Sequence, residues 1–272
     1  MPSLRIVPDN AVDRSTLSAS TTAGVLAVSN LKSDKKSEVY RATGTSTTIT
    51  GNLTGTESAS VLHLLGNFSS TMTLRLRLYS GAAGTGLVLD TGAMLACTAA
   101  PRVPRGWTAA QAASAYANGG GAQAWLWFAP TDFKGYVIDI VDTANLQGYA
   151  EVAQAVLGKY WAPTNHAVSA SLDIIDSTTT ERTAAGDQVA NAGTVYRKLS
   201  IDLKGMPPAD RATLVNLLMN SRAYPILISA FAESGDAVRE RDHMFYGRRA
   251  SDSSVSPEFL FRYASSVDFE EV

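Results

Sequence analysis

Thr73-Leu74-Arg75-Leu76-Arg77-Leu78-Tyr79 is the stretch that decides the fold class. Three leucines alternate with two arginines, so the leucines share one side of the chain and the arginines the other. A period of two is the signature of a half-buried strand, and a helix would scatter these leucines around its circumference. Working outward, Val61 to Leu65 is a shorter apolar run that ends at Gly66-Asn67. Trp125 to Phe128 and Tyr136 to Val141 read as two further buried strands, joined by a Pro130–Gly135 loop. Short apolar runs between Ser-, Thr- and Gly-rich turns predict an all-β sandwich or jelly roll for the first half. Residues 148–161 fit either a helical stripe or a strand. The chain is expected to divide just after them, at Trp161-Ala162-Pro163, giving a sandwich over residues 1–161 and a smaller β-rich domain over 162–272.

That second half opens with Val168, Ala170, Leu172 and Ile174 alternating with polar positions, then a polar loop from Asp176 to Gly193. Val195, Arg197, Leu199, Ile201 and Leu203 alternate again. Gly205-Met206-Pro207-Pro208 stops this strand and starts a helix over about 207–220, because proline is tolerated in a first turn. Pro225 to Phe231, Met244 to Tyr246 and Phe259 to Tyr263 are expected as strands. The fold class is therefore mainly β, with one helix packed on the C-terminal sheet.

Composition narrows the function. The 272 residues carry 23 Lys+Arg and 25 Asp+Glu, a formal net charge of −2, with 45% hydrophobic residues. A chain without a strong net field has no global attraction for a nucleic-acid backbone or an anionic membrane. No segment holds the run of about 18 apolar residues that a spanning helix needs, and the start, MPSLRIVPDN, lacks the apolar run of a signal peptide. Cytoplasmic synthesis is expected. The single cysteine, Cys97, rules out an intrachain disulfide, and His63, His166 and His243 show no metal-ligand spacing.

Two turns carry an enzyme-like motif and an ordinary structural reading. Asp90-Thr91-Gly92 follows the apolar run Leu87–Leu89, and Asp142-Thr143-Ala144 is a second, similar turn; aspartic proteases need two such carboxylates sharing a proton. A pepsin-like chain separates its turns into two lobes, much further apart than these. Asp-Thr-Gly is also ordinary hairpin chemistry, so both turns are read as structural. There is no Gly-x-Ser-x-Gly elbow, and no histidine has an evident orienting partner. No catalytic residue, metal site or cofactor is expected. The Asn52-Leu53-Thr54 and Asn67-Phe68-Ser69 triplets are read as coincidence.

Binding candidates are few. Residues 108–121, TAAQAASAYANGGG, read as a long surface loop with one helical turn, and long loops on rigid β scaffolds often carry contacts. Trp107 and Tyr116 flank it and are the candidates for stacking on a sugar ring; Trp125 and Trp127, on one strand face, are read as core. Arg239, Arg241, Arg248 and Arg249 cluster locally among Glu240, Asp242, Phe245 and Tyr246, which suits a solvated face or a subunit interface.

Two stretches carry a resemblance. AVSNLKSDKKSEVYRATGTSTTITGNL (27–53) and VLHLLGNFSSTMTLRLRLYSG (61–81) resemble the opening of a galactose-binding-like, discoidin-type jelly roll, with the aromatic–Arg pair at Tyr40-Arg41. The second half is similar to structural proteins of long-tailed bacteriophages, of the tail or distal baseplate. It does so through YWAPTNHAVSASLDIIDS (160–177), ERTAAGDQ (181–188), VYRKLSIDLKGMPPADRATLVNLL (195–218) and AYPILIS (223–229). The resemblance implies a non-enzymatic virion component, assembled in the host cytoplasm and working in the tail. Its implied partners are copies of itself in a ring and other tail-tube, hub or baseplate proteins, with neither nucleic acid nor membrane insertion. It transfers no functional residue. The alternative is a carbohydrate-binding module that engages host-surface glycans; a hydrolase comes third.

Overall fold

The computed structural model describes residues 3–99, 103, 106–164, 169–220 and 223–272. The first sheet is organised by two long antiparallel strands, Ser46–Gly66 and Ala122–Val141. Its hydrogen-bonded order is Tyr40–Arg41, Glu151–Gly158, Ser46–Gly66, Ala122–Val141, Thr73–Tyr79, Leu87–Asp90, with Thr16–Ala19 and Met94–Leu95 added at the side. The two ends of the long pair have different neighbours. Residues 46–52 and 135–141 run beside Thr16–Ala19 and Thr73–Tyr79, whereas residues 61–66 run beside Glu151–Gly158. Register shifts between Asn52 and Glu57, and between Ala59 and Val61, bend the ladder in the middle. Bulges of this kind turn strand corners, so one curled sheet closes on itself as a jelly-roll sandwich.

The sandwich core follows from the leucine alternation. Leu74, Leu76 and Leu78 are fully buried among Tyr40, Leu62, Leu64, Phe133, Tyr136, Ile138 and Ile140. Each such leucine contributes about 1.5–3 kcal/mol through loss of apolar surface to water. Their alternates face outward and are paired: Arg75 with Asp90 at 2.5 Å and Arg77 with Asp139 at 2.6 Å.

The second sheet runs Ser3–Val7, Ile226–Ala232, Met244–Arg249, Arg262–Glu271, Val195–Met206, Ser169–Asp176, with Val255–Phe259 paired beside Arg262–Glu271. Helix Pro208–Asn220 covers one face, setting Leu214, Leu217 and Leu218 against Leu4, Ile6, Leu199, Ile201, Ile228 and Phe269. The opposite face packs on the sandwich: Val7, Leu227, Met244 and Tyr246 meet Val61, Val156, Trp125 and Trp127. Strand Glu151–Gly158 is consequently buried along its whole length, with the sandwich core on one side and the second sheet on the other.

Four expectations change. Strand Ser3–Val7, grouped by sequence with residues 1–161, is hydrogen-bonded to Ile226–Ala232 and joins the second sheet. The Pro130–Gly135 segment is not a loop but the middle of strand Ala122–Val141. Pro130 falls where Ala59 pairs Thr131 and Val61 pairs Trp127, a bulge at which its missing N–H costs nothing. The Asp176–Gly193 stretch contains a hairpin, Thr179–Arg182 with Gln188–Asn191, every residue of which is exposed. Phe259 to Tyr263 is a hairpin tip rather than one strand, turning at Leu260-Phe261.

Candidate functional site

The 108–121 segment forms helix Ala109–Ala113, started by a capping box. Gln111 N donates to Thr108 Oγ1 at 3.2 Å and Thr108 N donates to Gln111 Oε1 at 2.9 Å. The three glycines end it. Gly120 N reaches Ala115 O at 3.0 Å and Gly121 N reaches Ala112 O at 3.0 Å. Gly121 is left-handed at φ 87°, and a Cβ at Gly120 would lie 2.2 Å from Ala112 O. The segment is held at both sides. Tyr116 Oη donates to Glu151 Oε1 at 3.0 Å on the sandwich edge, and Val195 N donates to Ala117 O at 3.1 Å on the second sheet.

This placement separates the two stacking candidates. Trp107 is 38% exposed, whereas Tyr116 is 6% exposed and packs beside Val39, Leu65 and Ala153. Tyr116 therefore anchors the loop, and its ring offers no free face to a sugar. The Tyr116 phenol is pushed well up by burial and by Glu151. Trp107 stands over a cavity of about 730 Å³ that lies between the loop and the second sheet, with Gln111, Asn118, Ser37 and Tyr196 also on its walls. An indole face beside amide and hydroxyl groups is the combination that packs an apolar sugar face while bonding its hydroxyls.

The cleft floor is ionic. Arg197 grips Glu271 through Nε–Oε2 at 2.8 Å and Nη2–Oε1 at 2.9 Å, and Lys36 Nζ meets Glu271 Oε1 at 3.1 Å. Burial alone would raise the Glu271 carboxyl, but Arg197 and Lys36 outweigh it and hold it at about 2. Burial pushes the Lys36 ammonium down, against Glu271. Arg197 also donates to the carbonyls of Arg241 at 2.9 Å and Met244 at 2.9 Å, so this triad braces the floor. Sequence reading missed it, because Lys36, Arg197 and Glu271 come from three distant segments.

The four arginines do not make one cluster. Arg239 and Arg241 lie on helix Ala237–Asp242, and Arg248 and Arg249 lie at the far end of strand Met244–Arg249. Arg239 lies over the Phe231 ring at 3.7 Å, Arg241 pairs with Asp242 at 2.7 Å, and Arg248 pairs with Asp34 at 2.9 Å. These three guanidinium groups thus have partners within the chain.

Asp90 and Asp142 are each tied to their own turns. Asp90 accepts from Arg75 and, at 2.9 Å, from Gly92 N; Arg75 first and then Gly92 hold its carboxyl well below the usual range. Asp142 is fully buried and accepts from Ser69 N at 2.8 Å and Asn145 Nδ2 at 3.1 Å. Asn52 Oδ1 accepts from Ala83 N at 2.7 Å, and Asn67 is buried with both amide atoms bonded. Cys97 is buried, and desolvation pushes its thiol up to about 12. His63 is 1% exposed behind the cleft, His243 stands edge-on to Phe231, and His166 lies outside the described residues. Among the described residues no three His, Cys, Asp or Glu side chains are grouped to hold a metal ion. No helix among them is long and apolar enough to cross a membrane.

No family model matches the chain, and no curated protein matches it. Solved structures do. One is CpGH89CBM32-5 from Clostridium perfringens in complex with GalNAc-β-1,3-galactose, at 11% identity, covering 56% of this chain and 99% of that one, with a TM-score of 0.39. A second is the family 32 CBM of C. perfringens NanJ in complex with galactose, at 14% identity over 58% and 99%, with a TM-score of 0.38. A third is the lectin domain of lectinolysin complexed with Lewis B antigen, at 14% identity over 56% and 96%, with a TM-score of 0.37. In each case the likeness covers between 56% and 58% of this chain.

Proposed function

We propose that this chain is a non-enzymatic carbohydrate-binding protein whose ligand lies in the cleft under Trp107. The observation that carries the reading is the half-open indole face of Trp107 over a cavity of about 730 Å³, beside Gln111, Asn118 and Tyr196. Sugars need a flat apolar surface and a few directional polar groups, and both are present there. The braced floor supplies rigidity, so little ordering cost falls on binding. A glycan array on the full chain tests the reading, with Trp107→Ala as control. A signal reduced at least about 10-fold by Trp107→Ala, equal to about 1.4 kcal/mol, supports it. A blank array, or a signal indifferent to Trp107, overturns it.

A second reading has its own observation. The hairpin Thr179–Arg182 with Gln188–Asn191 is exposed at every residue, an arm that stands in water. Such arms suit contacts with neighbouring subunits. This supports a structural virion component, in the tail or distal baseplate of a long-tailed bacteriophage, built as a ring of copies beside tube or hub proteins. The two readings coexist, because a tail-end protein can also touch host-surface glycans. Imaging of the particle decides the second: density for this chain at the tail end supports it, and its absence from purified virions removes it.

A further inference from the structure

The turn between Val255–Phe259 and Arg262–Glu271 breaks two local rules at once. Phe259 pairs with Arg262, so the hairpin turns in two residues, Leu260 and Phe261. A two-residue turn with positive φ at its second central residue favours Gly or Asn at that position. Here Phe261 sits at φ 58°, a conformation that costs a bulky residue steric strain. The tip is also apolar and in water: Phe259, Leu260 and Phe261 are 73%, 84% and 68% exposed. Its base is fixed, since Glu258 Oε2 accepts from Gly205 N at 2.9 Å and Arg262 Nη1 donates to Gly205 O at 3.3 Å. A strained, solvent-exposed aromatic knob on a fixed base does nothing for the fold of its own chain.

The same chain carries a receptacle of matching chemistry. A cleft of about 840 Å³ lies where the first residues meet the helix Pro208–Asn220, with Trp161, Leu217, Tyr224, Tyr246 and Asp13 on its walls. Tyr224 is 69% exposed there. Of the carboxylates at the cleft, Asp9 pairs with Arg14 and Asp34 with Arg248. Asp13 accepts from the Asn10 amide at 3.0 Å and has no ion pair among the described residues; burial first and then Asp34 push its carboxyl up to about 7, so a cation brought beside it favours the charged form. Arg262, next to the knob, is exposed.

We propose that the Phe259-Leu260-Phe261 knob of one copy docks into the Trp161–Tyr224–Tyr246 cleft of a second copy, with Arg262 pairing Asp13 across the contact. Knob and cleft are different surfaces of one chain, so the contact is head-to-tail, and repeats of it close a ring or propagate a filament. Aromatic anchors with one flanking ion pair are the composition of an energetic interface centre. The inference names the interface for the assembly reading and is independent of glycan binding.

Sedimentation velocity on the full chain across a concentration series tests it. The informative variant is Leu260→Asn with Phe261→Gly, which puts glycine at the positive-φ position and removes two of the three apolar tip residues. Concentration-dependent association of the wild type is expected, lost in the double variant while its thermal midpoint stays equal or rises. Asp13→Arg is expected to weaken association at least 10-fold, and adding Arg262→Asp to restore it. A wild type that stays monomeric at every concentration overturns the proposal, as does a double variant that associates normally. Unrescued loss in the charge swap overturns the cleft as the receptor. A glycan signal run on the same samples reports on Trp107 separately, so failure of one reading is not failure of the other.

Discussion

His63 makes the fold acid-sensitive, and the size of the effect follows from its position. It sits on strand Ser46–Gly66, opposite Trp125 and Val156, on the side of the sandwich that faces the second sheet. Nε2 lies 3.4 Å from Gln123 Oε1, and Nδ1 has no partner among the described residues. Burial first, and then Arg197, drive its imidazole down from 6.5 to about 4, against the Gln123 bond and Glu271. The unfolded chain therefore binds a proton near pH 6.5 that the folded chain refuses until about pH 4. Stability is full above pH 6.5 and is lost as pH falls through this window, at about 1.4 kcal/mol per pH unit. His63→Gln removes the titration and keeps a polar side chain of similar size. Urea unfolding of both proteins at pH 7.5 and pH 4.5 isolates the term, because every other group titrates in both. The stability difference between them is expected to move in favour of the variant by about 2.5 kcal/mol on acidification. A difference that stays constant between the two pH values refutes the reasoning: His63 would then be hydrated or charge-compensated in the folded protein.

Two further substitutions probe how the cleft is built. Glu271→Gln leaves Lys36 and Arg197 without their carboxylate in a buried floor, and a loss of about 3–5 kcal/mol is expected in denaturant unfolding; a loss below about 1 kcal/mol would mean that water replaces the carboxylate there. Gly120→Ala drives a methyl group into the Ala112 carbonyl, so faster proteolytic nicking in the 108–121 segment and a weaker glycan signal are expected, while the unfolding midpoint of the sandwich core stays unchanged.

What could be read from sequence was whatever depends on near neighbours. The Leu74–Leu76–Leu78 alternation, the Val195–Leu203 alternation and the proline-started helix are local patterns, and each appears in the structure. The long strands were not readable as wholes. A bulge interrupts the period of two, so Pro130 looked like a loop although the ladder resumes on both sides of it. Ser3–Val7 carries nothing that names its partner more than 200 positions away. At the candidate site, Trp107 was singled out by residue type alone. The burial of Tyr116 depends on Glu151 and Leu65 and could not be read from its own surroundings.

The contact between the two sheets sets where both clefts form. An all-apolar seam would fix the halves by surface burial alone, but this one mixes Val61, Leu227 and Met244 with buried polar groups. Arg5 is stacked between Trp127 at 4.6 Å and Tyr160 at 4.3 Å and paired with Glu233, while Trp127 Nε1 donates to Glu240 at 2.7 Å. Such networks demand one geometry, because a slip of the sheets would leave buried donors and charges unmatched. Both clefts open along this seam, one between the 108–121 loop and Tyr196, the other between Asp13 and Tyr224. Their walls come from different halves of the chain, so each holds its shape only while the seam is closed. The folded chain keeps His63 neutral down to about pH 4, so glycan binding and self-association are expected to persist to that pH and to fade together below it.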